Sequence, residues 1–139
     1  MLLRHGTAQA TKAQNFQLGA IAGAIAGAII GGNAGANTID GGGGVDIMAG
    51  GGGNDTYILD GSDFVYEAAG GGTDHVISSA GYSLSGQAIE NLTLTGAAIE
   101  GFGNALANII RGNDMNNVIA GEGGADTMIG GKGDDKYYV

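Results

Sequence analysis

Residues 41–59 read GGGGVDIMAGGGGNDTYIL, and this stretch decides the fold of the chain. It contains eight glycines and only two acidic residues, Asp46 and Asp55, which stand nine residues apart. An apolar residue follows two places after each acid, Met48 in one case and Tyr57 in the other. Because glycine loses more conformational freedom on folding than any other residue, this density of glycine indicates a fold that requires backbone angles closed to other residues.

The composition of the whole chain narrows the classes of fold and function. Its 139 residues suffice for one ordinary domain and include 31 glycines, no proline and no cysteine. With 43% hydrophobic residues, the chain is too apolar for a disordered linker. A net charge of −9 with five basic residues argues against nucleic acid as a partner and favours cations, since nucleic-acid phosphates need Lys and Arg. The lack of cysteine excludes disulfides and thiolate metal sites.

Seven nonapeptides share one pattern. Each begins with glycine, carries Asp or Asn at its sixth position, and carries Ile, Met or Tyr at its eighth. The sixth positions are Asn37, Asp46, Asp55, Asn108, Asn117, Asp126 and Asp135. The eighth positions are Ile39, Met48, Tyr57, Ile110, Ile119, Met128 and Tyr137.

A longer repeat divides the chain. When residues 32–58 are compared with residues 112–138, fourteen of the 27 positions are identical. We therefore expect an N-terminal tail and apolar segment over residues 1–31, followed by one repeat domain over residues 32–139. Within that domain the sequence predicts a repeat tract at 32–58, spacer strands at 59–102 and a second tract at 103–139.

A period of nine fits neither an amphipathic helix nor a coiled coil. Three residues with one apolar centre make a very short strand, and the glycine-rich six before it make a turn. One apolar residue per repeat points inward, and because no repeat can bury its own face, stability must come from stacked neighbours. The pattern predicts an all-β solenoid with parallel strands on two faces and two nonapeptides in each coil.

Stacking of every second nonapeptide would bring sixth-position side chains face to face across a gap lined by glycine carbonyls. The expected pairs are Asp55 with Asn37, Asp126 with Asn108 and Asp135 with Asn117. Asp46 would need a partner near residue 28 or residue 64, and Asp60 and Asp63 lie close to the second. Facing carboxylates repel unless a cation joins them. A flexible, all-oxygen ligand set favours Ca²⁺ over Mg²⁺ or Zn²⁺, and the pairing suggests about two to four ions.

The nonapeptides GGGGVDIMA, GGGGNDTYI, GEGGADTMI and GGKGDDKYY resemble the G-G-x-G-x-D-x-U-x repeat of the RTX, or haemolysin-type calcium-binding, family of bacterial secreted proteins. The resemblance implies a right-handed parallel β-roll, calcium-driven folding and export by a type I secretion system. Asp46, Asp55, Asp126 and Asp135 match the ligand aspartate of the family. Asn37, Asn108 and Asn117 offer a neutral oxygen at the same place, in repeats that lack most glycines, and are expected to bind calcium weakly or only to close the stack.

The sequence of the spacer predicts further strands and no catalytic centre. Alternating stretches at residues 64–67, 74–79 and 89–95 read as strands that continue the sheets, with His75 on a strand surface. No H-E-x-x-H motif, nucleophile elbow or acid–histidine pair is present, and GYSLSG lacks the elbow spacing. We predict no enzyme activity. The alternatives are an adhesin, matrix or self-assembling surface spacer, and the accessory repeat domain of a secreted enzyme.

The segment QLGAIAGAIAGAIIGG at residues 17–32 allows several interpretations. Its apolar run, from Leu18 to Ile30, is shorter than the roughly 20 residues of a membrane helix, so we expect no membrane span. A signal peptide with an A-x-A-like site at residues 34–36 would be cut inside the first repeat. Because Ile21 and Ile30 are in phase with Ile39, we favour degenerate, calcium-free coils or a cap. A self-associating glycine-zipper helix is the remaining alternative, and residues 1–16 are expected to form a flexible tail.

Overall fold

The structure is a computed structural model that describes residues 9–10, 20–22, 27 and 29–139. Over these residues the chain forms fifteen short strands and no helix, and therefore no helix long and apolar enough to cross a membrane. Gln9–Ala10 forms a strand, so the expected flexible tail is wrong at these two residues. The other residues of that tail, and most of the apolar segment before residue 29, lie outside the described part of the chain.

The strands are two to five residues long. In chain order they are β1 (Gln9–Ala10), β2 (Ala20–Ala22), β3 (Ile29–Gly31), β4 (Thr38–Asp40), β5 (Ile47–Ala49), β6 (Thr56–Leu59), β7 (Phe64–Val65), β8 (His75–Ser78), β9 (Tyr82–Ser83), β10 (Asn91–Leu94), β11 (Glu100–Asn104), β12 (Ile109–Arg111), β13 (Val118–Glu122), β14 (Thr127–Ile129) and β15 (Lys136–Tyr138).

Successive strands alternate between opposite sheets, and the pairs are parallel. The even-numbered strands make one seven-stranded sheet from β2 to β14. The odd-numbered strands make two four-stranded sheets, one from β1 to β7 and the other from β9 to β15. The prediction of an all-β parallel roll is therefore confirmed, and β2 and β3 belong to the solenoid as strands that pair with β4 and β5.

The register between stacked strands equals two nonapeptides within the repeat tracts. Thr38 pairs with Thr56, and Val118 pairs with Lys136. In the spacer the register changes. The coil from Thr56 to His75 is longer than two nonapeptides, whereas the coil from His75 to Asn91 is shorter. Two nonapeptides thus make one coil, as predicted, while spacer coils vary in length and lose the nonapeptide phase.

Most eighth-position side chains enter the core as ladders between the sheets, although Met128 is only partly buried and Tyr137 is 48% exposed. On the seven-stranded side, Ile39, Tyr57, Val76, Leu92 and Ile110 follow one another in register, and all are fully buried. Burying a side chain of this size contributes about 1.5–3 kcal/mol. Since each ladder member packs mainly on the members above and below it, coils stabilise one another and a single coil has no core of its own.

The spacer strands lie where the alternation predicted them, though shorter. β7, β8 and β10 fall within the three predicted stretches, and GYSLSG contributes β9. His75 is half-buried on β8, with Nε2 2.8 Å from Thr93 Oγ1 on the next coil. Burial, together with the charge of Arg111, holds the pKa of His75 below its usual range. It is a strand-surface residue, as expected.

Candidate metal-binding turns

The glycine-rich turns stack directly on one another at the ends of the sheets. Gly51 and Gly53 adopt φ angles of 100° and 95°, a region that side chains rarely occupy. A Cβ on Gly53 would also lie 2.6 Å from the carbonyl carbon of Gly35 on the coil below. Glycine is therefore required here both by the backbone angle and by the close approach of two turns.

The sixth-position residues link one coil to the next through hydrogen bonds. Three of the four sixth-position aspartates, Asp55, Asp126 and Asp135, accept at Oδ1 a hydrogen bond from the backbone N–H of the sixth-position residue one coil earlier. The three bonds run from Asn37 to Asp55 at 2.7 Å, from Asn108 to Asp126 at 2.8 Å and from Asn117 to Asp135 at 2.8 Å. The structure thus brings together the three pairs expected from the repeat.

Asp46 also has a partner of this type. Its backbone N–H donates a 3.0 Å hydrogen bond to Oδ1 of Asp63, which precedes β7 as Asp46 precedes β5. Asp46 is fully buried and Asp63 nearly so. The sequence analysis expected this partner near residue 64 but did not single out Asp63, because the coil here is one residue shorter than two nonapeptides.

The same hydrogen-bonded column continues into the spacer through acids that the sequence analysis missed. The N–H of Asp55 donates to Asp74 Oδ1 at 2.8 Å, and the N–H of Asp74 donates to Glu90 Oε2 at 2.8 Å. Asp74 directly precedes β8, as Asp55 precedes β6, so an acid just before an alternating apolar strand was the available signal.

Two carboxylate oxygens in this column have no donor. Oδ2 of Asp55 and Oδ2 of Asp74 are buried and accept no hydrogen bond. Burial is the main cause that raises the pKa of both carboxyl groups. A buried carboxylate oxygen without a donor is costly, and a proton or a cation relieves that cost. The arrangement of buried acids and stacked glycine turns therefore fits a hard cation such as Ca²⁺.

The side-chain amides of the sixth-position asparagines in the second tract find their hydrogen-bond partners within the protein. Asn108 Oδ1 accepts from the N–H of Asn104 at 2.8 Å, and its Nδ2 donates to the carbonyls of Ile89 and Glu90 at 3.1 and 3.2 Å. Asn117 repeats this arrangement, with Oδ1 accepting from Asn113 and Nδ2 donating to the carbonyl of Ala98. Here an amide group makes the bonds to backbone carbonyls, and no cation is needed for them.

Asn37, the remaining predicted asparagine, lies at the equivalent place in the first tract. It is buried, and its Oδ1 accepts a 2.9 Å hydrogen bond from the N–H of Asn33. Asp126 and Asp135, in contrast, are only half-buried in the final described coil. The seven predicted residues are thus equivalent in position but differ in burial and in hydrogen bonding.

Comparison with protein families identifies the repeats. A family model described as the RTX calcium-binding nonapeptide repeat matches residues 29–57 and 102–137, in four copies. These ranges coincide with the two glycine-rich tracts and leave out the spacer between them. Comparisons with curated proteins and with solved structures give no significant match.

Proposed function

We propose, from the RTX calcium-binding repeats that residues 29–57 and 102–137 match and from the parallel β-roll into which this chain folds, that calcium drives its folding after export from the cell. The observation that carries the proposal is the pair of buried, donorless oxygens of Asp55 and Asp74. Calcium would supply positive charge at such oxygens and complete their coordination with turn carbonyls. The repeats fill both tracts, and we assign the module no catalytic role of its own.

We propose Asp46, Asp55, Asp126 and Asp135 as the carboxylate ligands of the repeat tracts. All four stand at the sixth position of a glycine-rich nonapeptide, and carboxylates with backbone carbonyls are the ligand types that Ca²⁺ prefers. Asn37, Asn108 and Asn117 would bind calcium weakly or close the stack, because their side-chain oxygens already accept backbone hydrogen bonds.

The energetics support a switch between compartments. Without calcium, folding must order the glycine-rich turns and bury several like charges, both of which oppose it. Extracellular calcium modules have dissociation constants of about 10⁻⁴–10⁻³ M. Millimolar calcium outside the cell would then add its binding free energy to folding, whereas low cytosolic calcium would leave the chain unfolded and suited to a type I export channel.

A calcium titration of the intact chain, followed by far-UV circular dichroism, tests this proposal. We expect little β-structure in excess chelator and a cooperative gain of β-structure as calcium rises. Replacing the four aspartates by alanine should abolish the gain. A spectrum that shows full β-structure in chelator and does not change with calcium would reject calcium-driven folding.

One observation favours a second candidate, a self-assembling surface spacer. Ile29, Ile47 and Phe64 follow one another in register on the outer face of the first four-stranded sheet, and their side chains are 52%, 37% and 58% exposed. Contiguous exposed apolar residues often mark association surfaces. Light scattering with and without calcium separates the candidates, because growth in mass on folding would favour assembly and a constant monomer mass would favour the isolated module.

A further inference from the structure

Three carboxylates converge where the first repeat tract meets the spacer. Asp55, Glu67 and Asp74 each place one oxygen so that the three atoms lie within 4.8 Å of one another. Asp55 ends the last glycine turn of the tract, whereas Glu67 and Asp74 belong to the spacer turn between β7 and β8. We propose that this junction triad binds one calcium ion, at a site completed by two spacer carboxylates that lie outside the nonapeptide pattern. The proposal rests on calcium being the ion of the module.

The burial of the aspartates provides independent support. Asp55 is 1% exposed and Asp74 is 0% exposed, yet Oδ2 of each accepts no hydrogen bond. Their Oδ1 atoms are already committed, since they accept from the N–H groups of Asn37 and Asp55. One oxygen of each side chain therefore holds the coils together, and the other is left for a ligand that carries positive charge.

Glu67 is held in place by the core. The hydroxyl of Tyr57 accepts a 2.7 Å hydrogen bond from the N–H of Gly50 and donates to Glu67 Oε2. Tyr57 is a fully buried eighth-position residue, so the carboxylate that it fixes belongs to the folded stack and not to a free surface loop. Glu67 Oε1 also accepts from the N–H of Ala68 at 3.2 Å.

The turns beside Glu67 bring backbone carbonyl oxygens close to the triad. The spacer turn packs on the glycine turn of the coil below, since a Cβ added to Gly71 would lie only 3.1 Å from the carbonyl oxygen of Gly51. Glu67 also lines a cleft of about 290 Å³, together with Gly51 and Tyr66.

The charge balance also favours a cation. The sequence contains no Lys or Arg between residues 13 and 110, so neither type of permanently charged cation is close to the triad in the chain, and burial lowers the pKa of the adjacent His75. Three carboxylates and neighbouring carbonyls form an all-oxygen set in a flexible loop, which suits Ca²⁺ with its six to eight ligands better than the strict octahedron of Mg²⁺.

Isothermal titration calorimetry of the full chain with calcium tests the inference through the variant Glu67→Gln. Glutamine keeps the size of the side chain and an oxygen that can accept from Tyr57, but it removes the charge. We expect one calcium site to be lost or weakened about 10- to 100-fold, with the other sites unchanged. The matched control is Glu100→Gln, which makes the same charge change at an exposed residue of β11 and should behave as the wild type.

The outcomes distinguish this inference from the proposed function. If Glu67→Gln binds calcium with wild-type stoichiometry and affinity, the junction site is refuted while calcium binding by the repeats stands. If the wild-type chain itself binds no calcium, both are refuted. Circular dichroism of the calcium-loaded variant checks its fold. Should it fail to fold, the variant Glu67→Asp, which keeps the charge but shortens the side chain, is tested by tyrosine-sensitised terbium emission. Emission equal to wild type refutes the site, and reduced emission supports it.

Discussion

The backbone N–H of Asn117 donates a 2.8 Å hydrogen bond to Oδ1 of Asp135, one coil later in the chain. The same relationship joins Asn37 to Asp55. One side-chain oxygen at the sixth position therefore links two coils by a hydrogen bond within the protein. The second polar atom of the sixth-position side chain determines whether a cation is needed. Oδ2 of Asp55 has no hydrogen-bond donor, whereas Nδ2 of Asn117 donates to the carbonyl of Ala98.

Replacing Asp55 by Asn should change stability in opposite directions with and without calcium. Asparagine keeps the acceptor for the Asn37 N–H but removes a buried, donorless charge. In chelator we expect the free energy of unfolding to rise by about 1–3 kcal/mol, and in saturating calcium we expect it to fall below wild type. Urea denaturation in both conditions measures this. Asp114→Asn, at an exposed side chain, is the control and should show no reversal.

The reverse exchange, Asn108→Asp, should introduce a calcium requirement. It removes the Nδ2 bonds to the carbonyls of Ile89 and Glu90 and places a negative charge against those oxygens. We expect a loss of about 1–3 kcal/mol in chelator that calcium partly restores. Asn108→Ala loses these bonds, and the bond that Oδ1 accepts from Asn104, without adding a ligand, so thermal melting of that control should show a loss that calcium does not selectively restore. Equal responses of the two variants to calcium would contradict this interpretation.

The calcium-free protein should become more stable as the pH falls from neutrality. Burial raises the pKa of Asp55, Asp63, Asp74 and Glu67 in the folded state. The folded state therefore binds more protons than the unfolded state. This contribution is fully present below the ordinary carboxyl pKa of about 4 and is lost as the pH rises through the raised values.

With calcium the trend should reverse, because protons compete with the ion for the same carboxylates. Calorimetric calcium titrations at pH 7 and pH 5 should show weaker binding at the lower pH. Melting temperatures recorded in chelator at the same two pH values should move the other way. A melting temperature in chelator that falls toward pH 5 would show that these carboxyl groups are not buried as described.

Glu122→Gly should stabilise the second tract. Glu122 has a φ of 73°, in the left-handed region, at the second position of its nonapeptide, where Gly51 and Gly131 have φ of 100° and 95°. A side chain in this region costs about 1–2 kcal/mol, part of which the greater backbone entropy of unfolded glycine offsets. We expect a net gain of about 0.5–1 kcal/mol in denaturant unfolding.

Glu122→Ala is the matched control for that substitution, because it removes the same charge and leaves the backbone strain. It should give no comparable gain. If alanine stabilises as much as glycine, then charge and not backbone conformation is the cause.

The sequence predicted the repeat tracts well because their physics is periodic. Glycine at positive φ, an inward apolar residue and a coil of two nonapeptides follow from a nine-residue phase, and they place Asp55 beside Asn37. The spacer has no such phase. Because one of its coils is longer than two nonapeptides and the next is shorter, neither Asp74 nor Glu90 could be aligned with Asp55 by counting. The contact of Glu67 with Tyr57 depends on the path of an irregular turn, which no local pattern specifies.

The two sides of the roll differ in continuity, and this has a mechanical consequence. The even-numbered sheet is unbroken across the spacer, whereas the odd-numbered strands are divided between β7 and β9. Under tension or in partial unfolding we expect the roll to open first at the gap between β7 and β9. The continuous even-numbered sheet would still hold the two halves of the roll together. The junction triad includes Glu67, which follows closely after β7, so an ion bound there would cross-link the chain next to this gap and oppose its opening.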